Sequence, residues 1–204
     1  MRVLIACESS GQVRRAFRAL GHDAYSCDLL PSSDGSIHHF RADALEVMRL
    51  SHWDMMIAHP PCTHLAGSGA WCFPAKRADG RQREAIDFFL ALASAPIKRI
   101  GIENPVGIMS TIWRRPDQII QPHQFGQPEF KATCLWLKNL PLLQATCQLK
   151  KPERDTDEWK AWNYTLSLSP SVDRWKKRSE TKPGIAMAMA QQWANATIEQ
   201  FELF

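Results

Sequence analysis

Cys62 is the residue of this sequence whose type and surroundings best suit covalent chemistry. It stands in the stretch "IAHPPCTHLAGSG" (57–69), where an apolar run ends in two prolines and a loop of small residues follows. A thiolate in a rigid loop can act as a nucleophile when a neighbouring group activates it. Its place at the end of a strand favours this interpretation, although a buried structural thiol is the commonest fate of a cysteine.

A metal site is a further alternative for the same stretch. Four possible ligands lie close together in the sequence: His59, Cys62, His64 and Cys72. Zinc uses such ligands, but the spacing matches no zinc finger. A zinc deaminase would need Pro-Cys-x-x-Cys, whereas Pro61-Cys62 is followed by Thr-His-Leu. The spacing therefore favours no metal, and the nucleophile and the buried thiol stay open.

Two acidic residues stand at the ends of other apolar runs. Asp28 lies near the end of "DAYSCDLL" (23–30), and Glu103 lies in "IKRIGIENP" (97–105). Ligands of open α/β sheets bind beyond the carboxyl ends of the strands, so we expect both residues to meet Cys62 in one crevice. Glu103 would then be the acid or base that a cysteine nucleophile needs; the alternative is a surface carboxylate.

The elements that carry these residues alternate between strands and helices. Short continuous apolar runs predict buried parallel strands, and Val13, Phe17 and Leu20 predict an amphipathic helix that Gly21 ends. The predicted strands are 2–7, 23–30, 53–61, 97–105 and 131–140, and the predicted helices are 12–21, 43–50, 82–95 and 183–204. This alternation predicts an α/β fold with a Rossmann-like, mostly parallel sheet and helices on both faces.

Length and composition are those of one ordinary globular domain. The chain has 204 residues, of which 45% are hydrophobic and 23% charged. Its net charge of +4 is compatible with nucleic acid without requiring it. Basic clusters lie at 114–117, 150–154 and 173–178, and tryptophans lie among the last two. Such a surface could contact phosphates and stack bases, or it is a solvated charged face.

Neither a membrane span nor a secretory leader is expected. No apolar run approaches the length that crosses a bilayer, and the N-terminal apolar run is too short for a signal peptide. The six cysteines are scattered in a chain that does not need disulfides for stability. We therefore expect reduced thiols and a cytoplasmic location.

Taken together, the motifs resemble those of the cytosine-C5 DNA methyltransferases. "DMMIAHPPC" is similar to that family's strand and Gly-Phe-Pro-Cys-Gln loop, "IENP" to its Glu-Asn-Val motif, and "QFGQPEFKATCLWL" (124–137) to its Phe-Gly-x-Pro-Gln-x-Arg-x-Arg segment. "VLIACESSGQVRRAFRALGHDAYSCDLLP" corresponds to its first cofactor-binding motif, and "ADAL" (42–45) to the place of a cofactor-contacting Asp. The order and approximate spacing agree over residues 2 to about 140. "KATCLWL" and the late "PGIAMAMAQQW" resemble the compact phage-type group of that family.

The resemblance implies a methyltransferase fold with S-adenosylmethionine as cofactor and DNA as partner, the target base being flipped out of its stack. Cys62 would attack C6 of cytosine, Glu103 would bind N3 and the exocyclic amine, and Lys131 would orient the base or a phosphate. Asp28 is expected at the ribose hydroxyls of the cofactor and Asp43 near its adenine amine. The other residues expected to bind the cofactor are Cys7, Glu8, Ser10, Gly11 and Pro60.

The resemblance also implies the domain organisation. Residues 1–204 would form a single catalytic domain, with 141–182 as a reduced basic and aromatic insert for substrate recognition. The protein would be encoded by a phage or prophage and act in the cytoplasm of a bacterial host.

Several residues depart from the family pattern. The cofactor loop "CESSGQ" keeps Gly11 of the family's several glycines and adds a charge at Glu8, and Thr63 replaces the Gln after the cysteine. The late basic motif keeps Lys131 but loses one arginine. Two other functions therefore stay open. One is action on a free or single-stranded pyrimidine nucleotide, and the other is a non-catalytic phage accessory protein that binds nucleic acid or a partner.

Overall fold

A computed structural model describes residues 1–163, 168 and 178–195. Within them, seven strands form one sheet in the order β3-β2-β1-β4-β5-β7-β6. The strands are β1 (Arg2–Ala6), β2 (Asp23–Asp28), β3 (His39–Arg41), β4 (Met55–Ala58), β5 (Arg99–Pro105), β6 (Gln118–Ile120) and β7 (Thr133–Lys138). The helices are α1 (Gln12–Ala19), α2 (Ala44–Val47), α3 (Phe73–Ala78), α4 (Arg81–Ala93), α5 (Met109–Ile112), α6 (Asp157–Trp162) and α7 (Pro183–Ala194).

The sheet is mostly parallel, as the sequence predicts. Strands β1 to β5 pair in parallel, and β7 lies antiparallel between β5 and β6. The chain builds outward from β1 to β3 and then returns to place β4 on the other side of β1. This change of direction makes the carboxyl ends of β1 and β4 the point where an open α/β sheet binds its ligand. There Ala6 pairs with Ala58, and the His59 amide donates to the Ala6 carbonyl at 2.9 Å.

Helices cover both faces of the sheet, because neighbouring side chains of each strand point to opposite sides. Val3 and Ile5 of β1 belong to a core shared with α1 and α7. Leu4 and Ala6 belong to a second core that includes α2 and α4. A Cβ on Gly101 would lie 3.1 Å from the ring of Trp193, so the glycine lets α7 pack closely against β5.

The differences from the predicted elements have local causes. Strands β3 and β6 have three residues each, too few for a periodic pattern to be visible. Strand β4 ends at Ala58, before the prolines, because proline lacks the N–H that a sheet ladder uses. The short helices α3, α5 and α6 were not predicted. The predicted terminal helix is present from Pro183 to Ala194, and its predicted continuation beyond 195 lies outside the described residues.

Candidate active site at the carboxyl ends of the strands

The loop that carries Cys62 is fixed from several sides. The Asn104 amide of β5 donates to the Pro60 carbonyl at 2.7 Å. Two residues later, the Cys62 carbonyl accepts two backbone N–H groups of the following turn, at 2.9 and 3.0 Å. The Lys76 ammonium of α3 donates to the Thr63 carbonyl at 2.6 Å. Cys62 therefore sits, half-buried, on a backbone that β5 and α3 hold in place.

A second contact fastens the same loop to the segment after β5. Ala66 and Gly107 form an antiparallel bridge, and the Ile108 amide donates to the Leu65 carbonyl at 3.0 Å. A Cβ on Gly107 would lie 2.2 Å from that carbonyl oxygen. Residue 107 must therefore be glycine for the two backbones to approach, and the Cys62 loop is tied to the strand that carries Glu103.

Glu103 is paired with a residue that the sequence suggested only as a possible metal ligand. His59 Nδ1 lies 2.9 Å from Glu103 Oε2, and the two side chains are 8% and 10% exposed. Burial alone would raise the pKa of Glu103, but the hydrogen bond from His59 and the charge of Lys131 outweigh it and hold that pKa below its ordinary value. Glu103 is therefore ionised at neutral pH and accepts a hydrogen bond from His59 Nδ1–H.

The three predicted catalytic residues come together at this point. Burial raises the pKa of the Cys62 thiol, and the neighbouring Glu103 carboxylate raises it further. The charges of Lys131 and Arg178 act on the same thiol in the opposite direction. Cys62, Glu103 and Lys131 thus lie within electrostatic reach of one another. Without a bound substrate, the thiol is mostly protonated at neutral pH.

The segment just before α7 crosses this site; it is the end of the predicted insert 141–182, but its contacts here were not predicted. Thr181 Oγ1 lies 3.5 Å from His59 Nδ1, and the Glu180 carbonyl accepts from Lys131 Nζ at 3.5 Å. The Glu180 carboxylate in turn accepts from the Gln12 amide at 2.9 Å. Two of these contacts, Gln12–Glu180 and His59–Thr181, join residues more than a hundred positions apart in the chain, so only the folded arrangement reveals them.

Three of the residues predicted to bind a cofactor, Cys7, Asp28 and Asp43, lie at the ends of β1 and β2 and the start of α2, whereas Pro60 follows β4. Burial raises the pKa of the Cys7 thiol, with smaller contributions from Cys27, Asp28 and Asp43, so these groups are neighbours. One oxygen of Asp28 accepts from a backbone N–H at 2.9 Å, and one oxygen of Asp43 caps α2 through a backbone N–H at 2.7 Å. Cys7, Asp28 and Asp43 therefore lie close together, and their meeting with Cys62 in one crevice stays a prediction.

Glu8, Ser10 and Gly11 form the turn that begins α1. The buried Glu8 carboxylate, 5% exposed, accepts the amides of Val13 at 2.7 Å and Arg14 at 3.3 Å. The Ser10 hydroxyl donates to the same carboxylate at 3.3 Å. Gly11 has φ +70°, a conformation that favours glycine. Glu8 therefore serves as an internal cap of α1, and its predicted contact with a cofactor stays a prediction.

No metal cluster is present in the described part of the chain: no three His, Cys, Asp or Glu side chains there could hold an ion together. All six cysteines are free thiols. No helix among the described residues is both long and apolar enough to span a membrane.

Comparisons with known proteins give matches to solved structures alone. No protein-family profile and no curated protein matches the chain. A solved Escherichia coli structure, provisionally described as a DNA modification methyltransferase encoded within a prophage, is similar with a TM-score of 0.49 and 13% identity. The match covers 84% of this chain and 56% of the other, so this chain spans little more than half the length of that protein. A similarity of this size does not carry an activity from one protein to the other.

Proposed function

We propose that this protein transfers a methyl group from S-adenosylmethionine to C5 of cytosine in DNA. The observation that carries the proposal is the meeting of Cys62, Glu103 and Lys131 at the ligand-binding edge of the sheet. The sheet order, with an antiparallel β7 between β5 and β6, is that of the S-adenosylmethionine-dependent methyltransferase fold and supports the same conclusion.

The reaction needs a nucleophile that bonds to C6 of cytosine and an acid that protonates N3 of the same conjugated ring. C5 of cytosine is too weak a nucleophile to attack a methyl donor directly. When the Cys62 thiolate forms a bond to C6 and N3 takes up a proton, the ring becomes an enamine with a nucleophilic C5. Glu103 binds the N3 and amine edge of the base, and Lys131 opposes the negative charge near the thiolate.

The cofactor region suits a nucleoside without phosphates. In dinucleotide-binding folds, the first helix presents free amides to a pyrophosphate. Here Glu8 already accepts the amides of Val13 and Arg14, so a phosphate would meet a carboxylate instead of open donors. Asp28 and Asp43 are suited to hold the ribose hydroxyls and the adenine amine. When bound, S-adenosylmethionine would supply the electrophilic methyl group that C5 takes up. Loss of the C5 proton to a base, with departure of the Cys62 thiolate from C6, would then release 5-methylcytosine.

We further propose 1–204 as one catalytic domain in which 141–182 helps to hold DNA. Helix α6 packs on Phe130, the neighbour of Lys131: the Phe130 amide donates to the Trp162 carbonyl at 3.0 Å, and the two rings lie 5.2 Å apart. The exposed cations Lys150, Lys151, Arg154 and Lys160 belong to this part of the chain. Residues 164–167 and 169–177 of the proposed insert lie outside the described residues.

The test is transfer of tritiated methyl groups from S-adenosylmethionine to unmethylated duplex DNA, with base analysis of the product. We expect 5-methylcytosine with the wild type, none with Cys62→Ala, and normal amounts with Cys72→Ala. Cys72 is a partly exposed free thiol with no role in the proposed reaction, and it serves as the matched control. If product formed only on single strands, or only on free nucleotides, that class of molecule would replace duplex DNA as the substrate. A folded protein that labels none of the three substrates would overturn the proposal, and calorimetry would then show whether it binds S-adenosylmethionine.

A further inference from the structure

His59 directly follows β4, and its side chain is buried between Glu103 and the segment before α7. Nδ1 donates to Glu103 at 2.9 Å, because an ionised carboxylate can only accept. The other ring nitrogen, Nε2, is buried and has no hydrogen-bond partner among the described residues. A buried polar atom without a partner is costly, so its presence beside a proposed catalytic carboxylate asks for an explanation.

The proposed reaction needs a proton donor beside Glu103, where N3 of cytosine would bind. N3 of cytosine must be protonated when the thiolate attacks C6, and Glu103 is the group that faces N3. The pKa of Glu103 lies below its ordinary value because His59 and Lys131 outweigh the effect of burial. An ionised Glu103 can accept from the cytosine amine, but it has no proton to give to N3.

We propose that His59 carries this proton and acts through Glu103 as a positioning residue; the inference rests on the proposed function. In the imidazolium form, the Nδ1–H bond breaks and a proton passes to Glu103 Oε2. Glu103 then gives that proton to N3 while the Cys62 thiolate, whose own proton has passed to solvent, bonds to C6. His59 is left neutral, with its remaining proton on Nε2, and solvent restores the second proton between turnovers.

Several charged or titratable groups lie close to the His59–Glu103 pair. They are Lys131, Arg178 and the Cys62 thiol, together with Cys134, on which the charge of Glu103 also acts. Thr181 Oγ1, 3.5 Å from Nδ1, can follow either state because a hydroxyl both donates and accepts.

Assays of methyl transfer with two His59 variants distinguish a His59 that carries a proton from one that only holds Glu103 in place. His59→Asn places an amide N–H where Nδ1–H stands and keeps the hydrogen bond to Glu103, but it cannot titrate. His59→Phe removes the bond as well. For His59→Asn we expect kcat to fall by about a hundredfold or more, as for loss of a general acid, with KM for DNA little changed and the alkaline limb of the pH profile lost. Full activity in His59→Asn, or a change in KM alone, would overturn the inference.

Alkylation of Cys62 by iodoacetamide tests the same coupling without methyl transfer, so it stays informative even if no methyl transfer occurs. Without the His59 hydrogen bond, burial should leave Glu103 protonated, and Cys62 should lose a neighbouring negative charge. His59→Phe should therefore react several-fold faster than the wild type near neutral pH, and His59→Asn should not. In a Glu103→Gln background, His59→Phe should have no further effect. Equal rates in the wild type and His59→Phe, or a persistent effect in that background, would refute the coupling.

Discussion

Replacing Glu8 by alanine should destabilise the whole domain, although the residue lies in a turn. The carboxylate accepts two amides of α1 and is 5% exposed, so water has little access to replace it. Each buried donor left without an acceptor costs about 1–3 kcal/mol, and loss of a negative charge at a helix N-terminus adds to this. We expect a loss of about 3–5 kcal/mol in the free energy of unfolding. At about 2–4 °C per kcal/mol for a chain of this size, Tm should fall by about 6–20 °C.

Denaturant unfolding followed by circular dichroism measures this loss, with the midpoint shifted and the slope unchanged. Glu8→Gln keeps one acceptor oxygen and should lose about half as much. Glu84→Ala is the control, because Glu84 is an exposed acidic residue in the first turn of α4 and should cost under about 1 kcal/mol. If Glu8→Ala and Glu84→Ala were equally stable, Glu8 would not be the cap of α1. Calorimetry on Glu8→Gln then separates the cap from the predicted cofactor contact, since a pure cap leaves S-adenosylmethionine binding unchanged.

Two further predictions concern the site and the stability of the fold towards acid. Gly107→Ala should lower the free energy of unfolding by at least about 1–3 kcal/mol, because its Cβ would lie 2.2 Å from the Leu65 carbonyl oxygen. Gly69→Ala is the control: its Cβ would lie no closer than 3.5 Å to any atom beyond its chain neighbours, so its thermal melt should be nearly that of the wild type. Asp34 is buried enough to raise its pKa, yet its hydrogen bonds, including one from Arg14, hold that pKa well below its ordinary value. Its stabilising effect is therefore complete above about pH 4 and is lost progressively as pH falls towards its lowered pKa, so the difference in stability between wild type and Asp34→Asn should shrink steadily below about pH 4. An equal difference at pH 7 and pH 2 would contradict the assignment.

The sequence predicted the parts of the site that depend on strand ends. Cys62, Glu103 and Asp28 each follow a continuous apolar run, and parallel strands bring such positions to one edge. The pairing of His59 with Glu103 was not predicted, because it depends on the register of β4 against β5. His59 was considered only as a metal ligand, since a histidine beside a cysteine gives no sign of the carboxylate that it will face.

The contacts of Glu8 and of the segment before α7 could not be predicted from the sequence, for different reasons. Glu8 caps a helix that begins several residues later, and this spacing matches no common capping signature. Thr181 reaches His59 across 122 positions, which no local pattern encodes. Short strands such as β3 and β6 were missed because their pairing partners, rather than their own residues, decide that they are strands.

Because half-buried Cys62 is mostly protonated, it should resist oxidation in the free protein. Peroxides and electrophiles attack thiolates, and the raised pKa of Cys62 keeps the thiolate scarce in the free protein. Cys147 is exposed, and we expect it to be oxidised before Cys62. A thiol that becomes nucleophilic only beside its substrate stays unreactive for most of its lifetime, so oxidation should reach exposed thiols before it reaches the catalytic one.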